Sequence, residues 1–463
     1  MTASRFPRPG LLAAAALPFL AACTVGPDYQ GAPVVVSEAT FKNAGFTTAP
    51  PEGSWWSIFG DPELARLIHR ADVDGPAARA ALARYDEARA ALGLARVDQY
   101  PAVTGDLYAR RQGDSGNSNF SAGTYDNYRA ALNLSWELDL WGRVRRQVRG
   151  AEADLAAARY DYQAAALSLR AEVARAYFSL RYADAEVALL EETASLRNRA
   201  RQLMEKRYEG GASSRIDLDR AITEAEAVQA DLEQVKASRA RFENALAALT
   251  GRSASGFRLA ASGSLPTVPA VPSAVPSELT RRRPDVAAAE RRLASASERV
   301  GFVVASYLPK LSIGAEGGVS SLSTSDLFDS SSVLWSLGPE LQLPTFQGGA
   351  LGANKARAEA LYREALENYR DTLLQAVRET EDSLVDTRRL AAAAASRKRG
   401  AASAERASEL TRKRYVAGAT DYFEVVDADR TALAEQRQAL QVELARALAA
   451  TRLIQALGGG WTR

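Results

Sequence analysis

The sequence of 463 residues contains one cysteine, Cys23, and one histidine, His69. This scarcity excludes a metal site built from His and Cys ligands, and it excludes a Cys-His or Ser-His catalytic pair other than one that uses His69. An excess of one charge is also missing, because 58 Lys and Arg side chains face 56 Asp and Glu side chains. The sequence therefore predicts no enzyme, no metal, no cofactor and no nucleic-acid partner.

The amino terminus has the build of a bacterial secretory signal, with two arginines before an apolar run that ends at Ala22. The run is too short to cross a bilayer as a helix. Leu20-Ala21-Ala22-Cys23 resembles a lipobox, the motif after which a lipoprotein signal is cut and the new terminal cysteine is acylated. We therefore predict a lipoprotein signal peptide over residues 1–22 and lipidation of Cys23. The alternative is an ordinary signal followed by an incidental cysteine.

The sequence contains an internal repeat. Lys206 to Arg220 reads KRYEGGASSRIDLDR, and Lys413 to Arg430 repeats its form as KRYVAGATDYFEVVDADR. A segment rich in Pro, Ser and Gly lies between the two copies, which is typical of a linker. The predicted organisation has an anchor segment over 23–60, a first repeat over 61–251, a linker over 252–276, a second repeat over 277–458 and a tail over 459–463.

Each copy predicts two short strands and a very long helix. From Tyr128 to Trp141 apolar and polar residues alternate over the length of a membrane strand, and similar alternation begins at Leu311 and at Val333. From about Val144 to Tyr208 there is no proline, and apolar residues recur at steps of three and four, which favours coiled packing of a helix about 95 Å long. The expected fold is mainly α-helical, with membrane β-strands and long coiled helices.

Two hairpins supply only four strands, which are too few to close a barrel. An open strand edge in lipid leaves backbone groups unpaired at a cost of several kcal/mol each. If the strands lie in a membrane, several chains must therefore share one barrel. The alternative is a soluble sheet attached to a coiled-coil spacer.

Five groups of residues carry a family resemblance. They are Cys23-Thr24-Val25-Gly26-Pro27-Asp28-Tyr29, Trp55-Trp56 with Phe59, Asp61-Pro62, Leu138-Asp139-Leu140-Trp141-Gly142, and Arg282-Arg283-Pro284-Asp285-Val286 with Glu290. On these motifs the chain resembles the TolC/OprM outer membrane efflux proteins, in their lipid-anchored, NodT-like branch. One departure is Asp74-Gly75-Pro76-Ala77, where we expect the first helix to be kinked or broken.

The resemblance implies a homotrimer whose chains each give four strands to one shared outer membrane β-barrel, continuous with a helical tunnel through the periplasm. It implies a lipid-anchored protein of the outer membrane that extends into the periplasm. Its partners would be a periplasmic adaptor protein and an inner membrane pump of the RND type. The function would be a passive exit duct for small molecules in a tripartite efflux system; the alternative is a non-conducting coiled-coil envelope lipoprotein, which single-channel recording would distinguish.

The resemblance also implies a gate at the glycine turns. Glu424 and Asp427 lie three residues apart, on one face of the helix after Gly418, and match acidic gating positions of the family, while Asp217 matches their partner on the other turn. Acids in a first helical turn also have an ordinary role as caps. The predicted adaptor contacts at the two turns are Tyr208, Gly211, Tyr415 and Gly418.

Overall fold

The computed structural model describes residues 24–35, 41–43, 54–113, 123–262, 265–269 and 283–459. The predicted signal peptide (1–22) and the predicted lipidation site, Cys23, lie outside the described residues. After a short 3-10 helix at Trp55–Phe59, the elements follow the chain in this order: α1 (Pro62–Asp74), α2 (Pro76–Val97), β1 (Ala102–Gly113), β2 (Thr124–Leu138), α3 (Arg143–Glu209), α4 (Arg215–Leu249), α5 (Pro284–Ala305), β3 (Lys310–Ser321), β4 (Val333–Gln342), α6 (Ala350–Val416) and α7 (Tyr422–Ala456).

The internal duplication is confirmed by the lengths of four pairs of elements. Helices α2 and α5 each have 22 residues, α3 and α6 each have 67, and α4 and α7 each have 35. Strands β1 and β3 each have 12 residues. The predicted long helix from Val144 to Tyr208 is α3, and its bounds differ from the prediction by one residue at each end.

The first predicted helix is broken, as expected, at Gly75. A Cβ atom there would lie 2.3 Å from the Ala71 carbonyl oxygen and 2.9 Å from that of Leu249, so only glycine fits. Pro76 then begins α2 at a position where its missing N–H costs nothing.

The predicted strand from Tyr128 to Trp141 is wrong at both ends. The strand begins at Thr124, four residues before the predicted start, and ends at Leu138, three residues before the predicted end. It ends early because the Asp139 carboxylate accepts hydrogen bonds from the backbone amides of Val144 (3.1 Å) and Arg145 (2.8 Å) at the start of α3. Beyond the end of the strand, the Trp141 indole donates to the Pro309 carbonyl (2.8 Å).

The four strands form one antiparallel sheet in the order β1-β2-β3-β4. Leu134 lies opposite Val103 of β1 and Ala315 of β3, and Asn133 lies opposite Thr104 and Glu316. The register therefore separates two faces. The apolar face carries Val103, Leu107, Leu132, Leu134, Trp136, Leu311, Ile313, Val319, Trp335, Leu337 and Leu341. On the polar face, Asn133 donates to the Asp106 carboxylate and Arg129 pairs with Glu316.

The chain divides into two compact units. The first, called here the sheet unit, comprises the described residues within Met1–Pro33, Tyr85–Arg159 and Ala288–Arg370. In it the buried Arg146 donates to Glu298 (3.0 Å) and to the Gly26 carbonyl (3.1 Å) and pairs with Asp28 (2.9 Å). The first described residues after Cys23 are therefore held against the beginning of α3.

The second unit, the helical unit, comprises the described residues within Val34–Arg84, Tyr160–Ala287 and Asp371–Arg463. Trp55 is 2% exposed in its core and packs with Phe59, whose ring centroid lies 4.8 Å from that of Phe178. Along α3, Ala183, Leu190 and Ala194 pack against Val228, Leu232 and Val235 of α4. This confirms the predicted coiled packing. Among the described residues, no helix is both long and apolar enough to cross a bilayer.

The first part of the predicted linker is bound tightly to the helical unit. Arg239 donates to the Leu259 carbonyl (2.8 Å), and the Asp184 carboxylate accepts from the Ser262 amide (3.2 Å). Phe257 is buried. Composition predicted a linker, but these residues pack as part of the fold.

Candidate functional site

The turns α3–α4 and α6–α7 of the helical unit have the same backbone. Gly211 and Gly418 adopt the left-handed conformation, with φ of 71° and 76°. The Ala212 amide donates to the Arg207 carbonyl over 2.7 Å, and the equivalent bond of the second turn measures 2.9 Å. These bonds form a Schellman motif, which requires a positive φ at the glycine.

The helices after the turns begin alike. Ser214 caps α4 by accepting from the Asp217 amide (3.1 Å), and Asp421 caps α7 by accepting from the Glu424 amide (3.0 Å). The acidic side chain three residues after each cap also accepts a hydrogen bond. Asp217 accepts from the Ser214 hydroxyl (2.7 Å), and Glu424 accepts from the Thr420 hydroxyl. Two of the three predicted gate residues therefore contribute to helix capping.

Asp427 differs from them. It is exposed one turn beyond Glu424, and no hydrogen bond or ion pair of its side chain occurs among the described residues. Its counterpart in the first repeat is Arg220, which lies 4.0 Å from Asp217 and over the Phe423 ring at 5.0 Å. The first repeat thus pairs an acid with a base, whereas the second presents two acids.

The tyrosines of the two turns lie in different surroundings. Tyr208 is 40% exposed, with the Arg215 guanidinium 5.7 Å from its ring. Tyr415 is half-buried, accepts from Arg207 over 2.5 Å and lies 5.8 Å from the Tyr422 ring. Of the predicted adaptor-contact tyrosines, Tyr208 is the more accessible.

A small apolar cluster lies behind the turns, made of Met204, Leu218, Ala221, Tyr422, Val425 and Val426. Burial raises the pKa of the Tyr422 phenol above its ordinary value. Its hydroxyl has no hydrogen-bond partner among the described residues. The cluster therefore surrounds a buried hydroxyl group whose loss of contact with water is not offset by a hydrogen bond.

A buried ion-pair network joins all four helices beyond this cluster. Arg197 of α3 donates to Asp429 of α7 (3.2 Å) and lies 3.8 Å from Glu224 of α4. Asp429 also accepts from Ser408 (2.5 Å) and Arg412 (3.0 Å) of α6. The sequence held a signal for Asp429, because it follows Tyr422, Val425 and Val426 at helical spacing on the buried face.

The structure brings the acids and the turn residues together within the helical unit, through contacts such as Arg207 with Tyr415. No group of three or more His, Cys, Asp and Glu side chains in the described part of the chain could hold a metal ion. The arrangement offers exposed carboxylates and aromatic rings at paired helix turns, which suits binding and passage of solutes.

A model of the family described as outer membrane efflux protein matches residues 67–252 and 275–459. The cation efflux system protein CusC of Escherichia coli O6:H1 is 29% identical, over 96% of this chain and 96% of its own length. Outer membrane protein OprJ of Pseudomonas aeruginosa is 31% identical, over 96% and 94%. The solved outer-membrane channel OprN is 30% identical and matches 95% of this chain and 100% of its own with a TM-score of 0.87.

Proposed function

The chain belongs to the outer membrane efflux protein family and is an outer membrane channel component of a tripartite efflux system, and we propose that its α6–α7 turns form a carboxylate constriction that favours cations. The resemblance to TolC/OprM proteins is thereby confirmed. Each chain contributes four strands to a shared trimeric barrel and long helices to a tunnel. The duct is passive and performs no chemistry of its own.

The proposal depends most on the exposed pair Glu424 and Asp427. In a trimer, these two residues supply six carboxylates to one end of the channel. Two such charges about 6 Å apart repel by about 0.7 kcal/mol in water, and by several times that in a narrow mouth of lower effective dielectric. A ring of this kind attracts cations and excludes anions. The cation-efflux relative CusC supports the same choice of ion.

Glu424 and Asp427 differ in their capping contacts. The Glu424 carboxylate accepts from Thr420 in the capping turn, so its removal weakens the start of α7 as well as the charge. Asp427 has no such local contact among the described residues. We therefore propose that Asp427 acts only in the gate. Glu424 acts both as a cap and in the gate, and Asp217 acts mainly as a cap.

Reversal potentials under a salt gradient test this assignment. In planar bilayers, Asp427→Ala and the double variant with Glu424→Ala should each lower cation selectivity relative to wild type. Asp382→Ala removes an exposed carboxylate elsewhere on α6 and should leave selectivity unchanged. Unchanged selectivity in the double variant, together with lost thermal stability, would make these acids caps only.

We propose that the turns also dock the periplasmic adaptor, and that the pump behind it is of the RND type. The four turn residues offered for contact are Tyr208, Gly211, Tyr415 and Gly418. Photo-crosslinking in cells, with the probe at Tyr208, should capture the adaptor, whereas a probe at the strand residue Leu107 should not. Capture from both positions, or from neither, would remove the turns as the docking site.

Acylation of Cys23 is the proposed anchor in outer membrane lipid. The residues after it support this, because the Val25 amide donates to the Trp141 carbonyl over 3.1 Å and fixes the chain two residues after the cysteine. Intact mass spectrometry should find a diacylglyceryl group on the mature chain, and Cys23→Ser should accumulate as an uncut precursor. A mature wild-type chain without lipid would contradict the anchor.

A further inference from the structure

The sheet has two edges, β1 and β4, that no other strand of the described chain covers. Both carry large exposed apolar side chains, with Leu107 84% exposed on β1 and Trp335 78% exposed on β4. An unpaired edge in lipid is costly, so the edges must meet between copies of this chain. We infer that β4 of one protomer pairs with β1 of the next in a fixed register, with Leu341 opposite Leu107; this rests on the shared barrel.

The duplication gives that register. Elements before the first strand of each hairpin recur 208 residues later, as Pro76 and Pro284 begin α2 and α5 and Ala102 and Lys310 begin β1 and β3. Elements after the second strand recur 207 residues later, since Arg143 opens α3 where Ala350 opens α6.

The pairing within the hairpins agrees with both intervals. Ser135 lies opposite Ala102, and Gln342 lies opposite Lys310. Ser135 and Gln342 are therefore equivalent, again 207 residues apart. The two hairpins are the same unit in the same internal register.

The junction between the two hairpins inside one chain is then a template for the junction between chains. Leu134 of β2 lies opposite Ala315 of β3. Their equivalents in the other repeat are Leu341 of β4 and Leu107 of β1. The same translation gives eight antiparallel pairs, which run from Gln342 opposite Asp106 to Trp335 opposite Gly113.

The side chains favour this register over its neighbours. It covers the exposed Leu107 with Leu341 and sets an aromatic ring against a glycine at its end. A slip of two residues one way would put Glu340 directly opposite Asp106, and like charges in that position destabilise a sheet. A slip of two the other way would carry Trp335 beyond Gly113, the last residue of β1. A slip of one would turn the apolar face inward.

Disulfide trapping tests the register, and the chain suits it because Cys23 is its only cysteine. Leu341→Cys with Leu107→Cys should give a covalent trimer on a non-reducing gel after mild oxidation of the membrane-embedded protein. Directly opposite residues have Cα atoms about 4.5–5.5 Å apart, within the range that a disulfide spans. The polar-face pair Ser336→Cys with Gln112→Cys samples the other pairing geometry and should also link chains.

Three controls separate the outcomes. Leu134→Cys with Ala315→Cys should oxidise within one chain and give no covalent oligomer. Leu341→Cys combined with Gly105→Cys or with Ala109→Cys reports a slip of two in either direction. A shifted pair that links chains better than Leu341 with Leu107 would overturn the register and leave the shared barrel standing. If the intrachain pair oxidises and no pair links chains, both the register and the shared barrel fail.

Discussion

The Arg197 guanidinium donates to the Asp429 carboxylate over 3.2 Å, and both side chains are at most 9% exposed. Glu224 and Arg412 complete the contact from the two remaining helices. Removal of the buried cation from such a group leaves the buried carboxylates less well compensated, which costs more than loss of a surface pair.

Arg197→Met should lower the free energy of unfolding by about 2 kcal/mol, because Glu224 and Asp429 lose the buried cation between them and keep only the partly exposed Arg430 and Arg412. Urea unfolding of the detergent-solubilised trimer, followed by circular dichroism, measures the change. The same substitution at the exposed Arg399 should stay within about 0.5 kcal/mol. Equal effects at the two positions would mean that the network contributes no more than surface charges do.

The two faces of the sheet should respond differently to arginine. Leu134→Arg places a charge on the apolar face near mid-strand and should cost about 2–4 kcal/mol of folding free energy in a bilayer, whereas Ser135→Arg on the other face should cost much less. Folding into lipid vesicles, followed by heat-modifiable gel mobility, gives the comparison. A larger cost at Ser135 would show that the polar face is the one in lipid.

Gly418→Ala should destabilise the protein although its surroundings are open, because an alanine at φ of 76° is strained by roughly 1–2 kcal/mol. The same change at Gly93, an exposed and unobstructed position inside α2, should stabilise by roughly 0.5–1 kcal/mol. Thermal unfolding of the two variants should shift in opposite directions. Shifts of the same sign would contradict the left-handed turn.

Tyr422→Phe should hold or raise stability, because it removes a buried hydroxyl without a partner among the described residues. The effect should depend on pH. The pKa of the folded phenol is raised, so ionisation above about pH 10 favours the unfolded chain and stability falls as pH rises. Wild type should lose stability more steeply than the variant between about pH 9 and pH 11. Parallel pH profiles would place Tyr422 in water.

The sequence was sufficient for features with long or repeated patterns. The predicted bounds of α3 lie within one residue of the observed ones, because a long run without proline and with apolar residues at helical spacing favours one continuous helix. The end of β2 was wrong because Asp139 caps the next helix, a contact that alternation does not encode. The spacing of the acids and the family resemblance predicted a gate, which stays a prediction, whereas the capping contacts with Thr420 and Ser214 depend on turn geometry that the sequence does not encode.

The buried acid Asp429 shows a different limit. It stands in the run Asp427-Ala428-Asp429-Arg430, where charge alone suggests a solvated surface. Its neutralising partners, Arg197 and Arg412, come from other helices, and Arg197 lies 232 residues away in the sequence. Helical spacing could have placed it on the inner face, but only the fold says which charges meet it there.

The matched lengths of the helices constrain how this chain can change through evolution. A residue inserted into α3 alone would rotate everything after it by about 100° and advance it by about 1.5 Å, separating Arg207 from Tyr415. Only a matching insertion in α6 would restore the contact, so insertions and deletions in the two helices should occur in pairs. A change in the length of the connection between β1 and β2, or between β3 and β4, would not disturb this contact. Insertions and deletions should therefore be more frequent there.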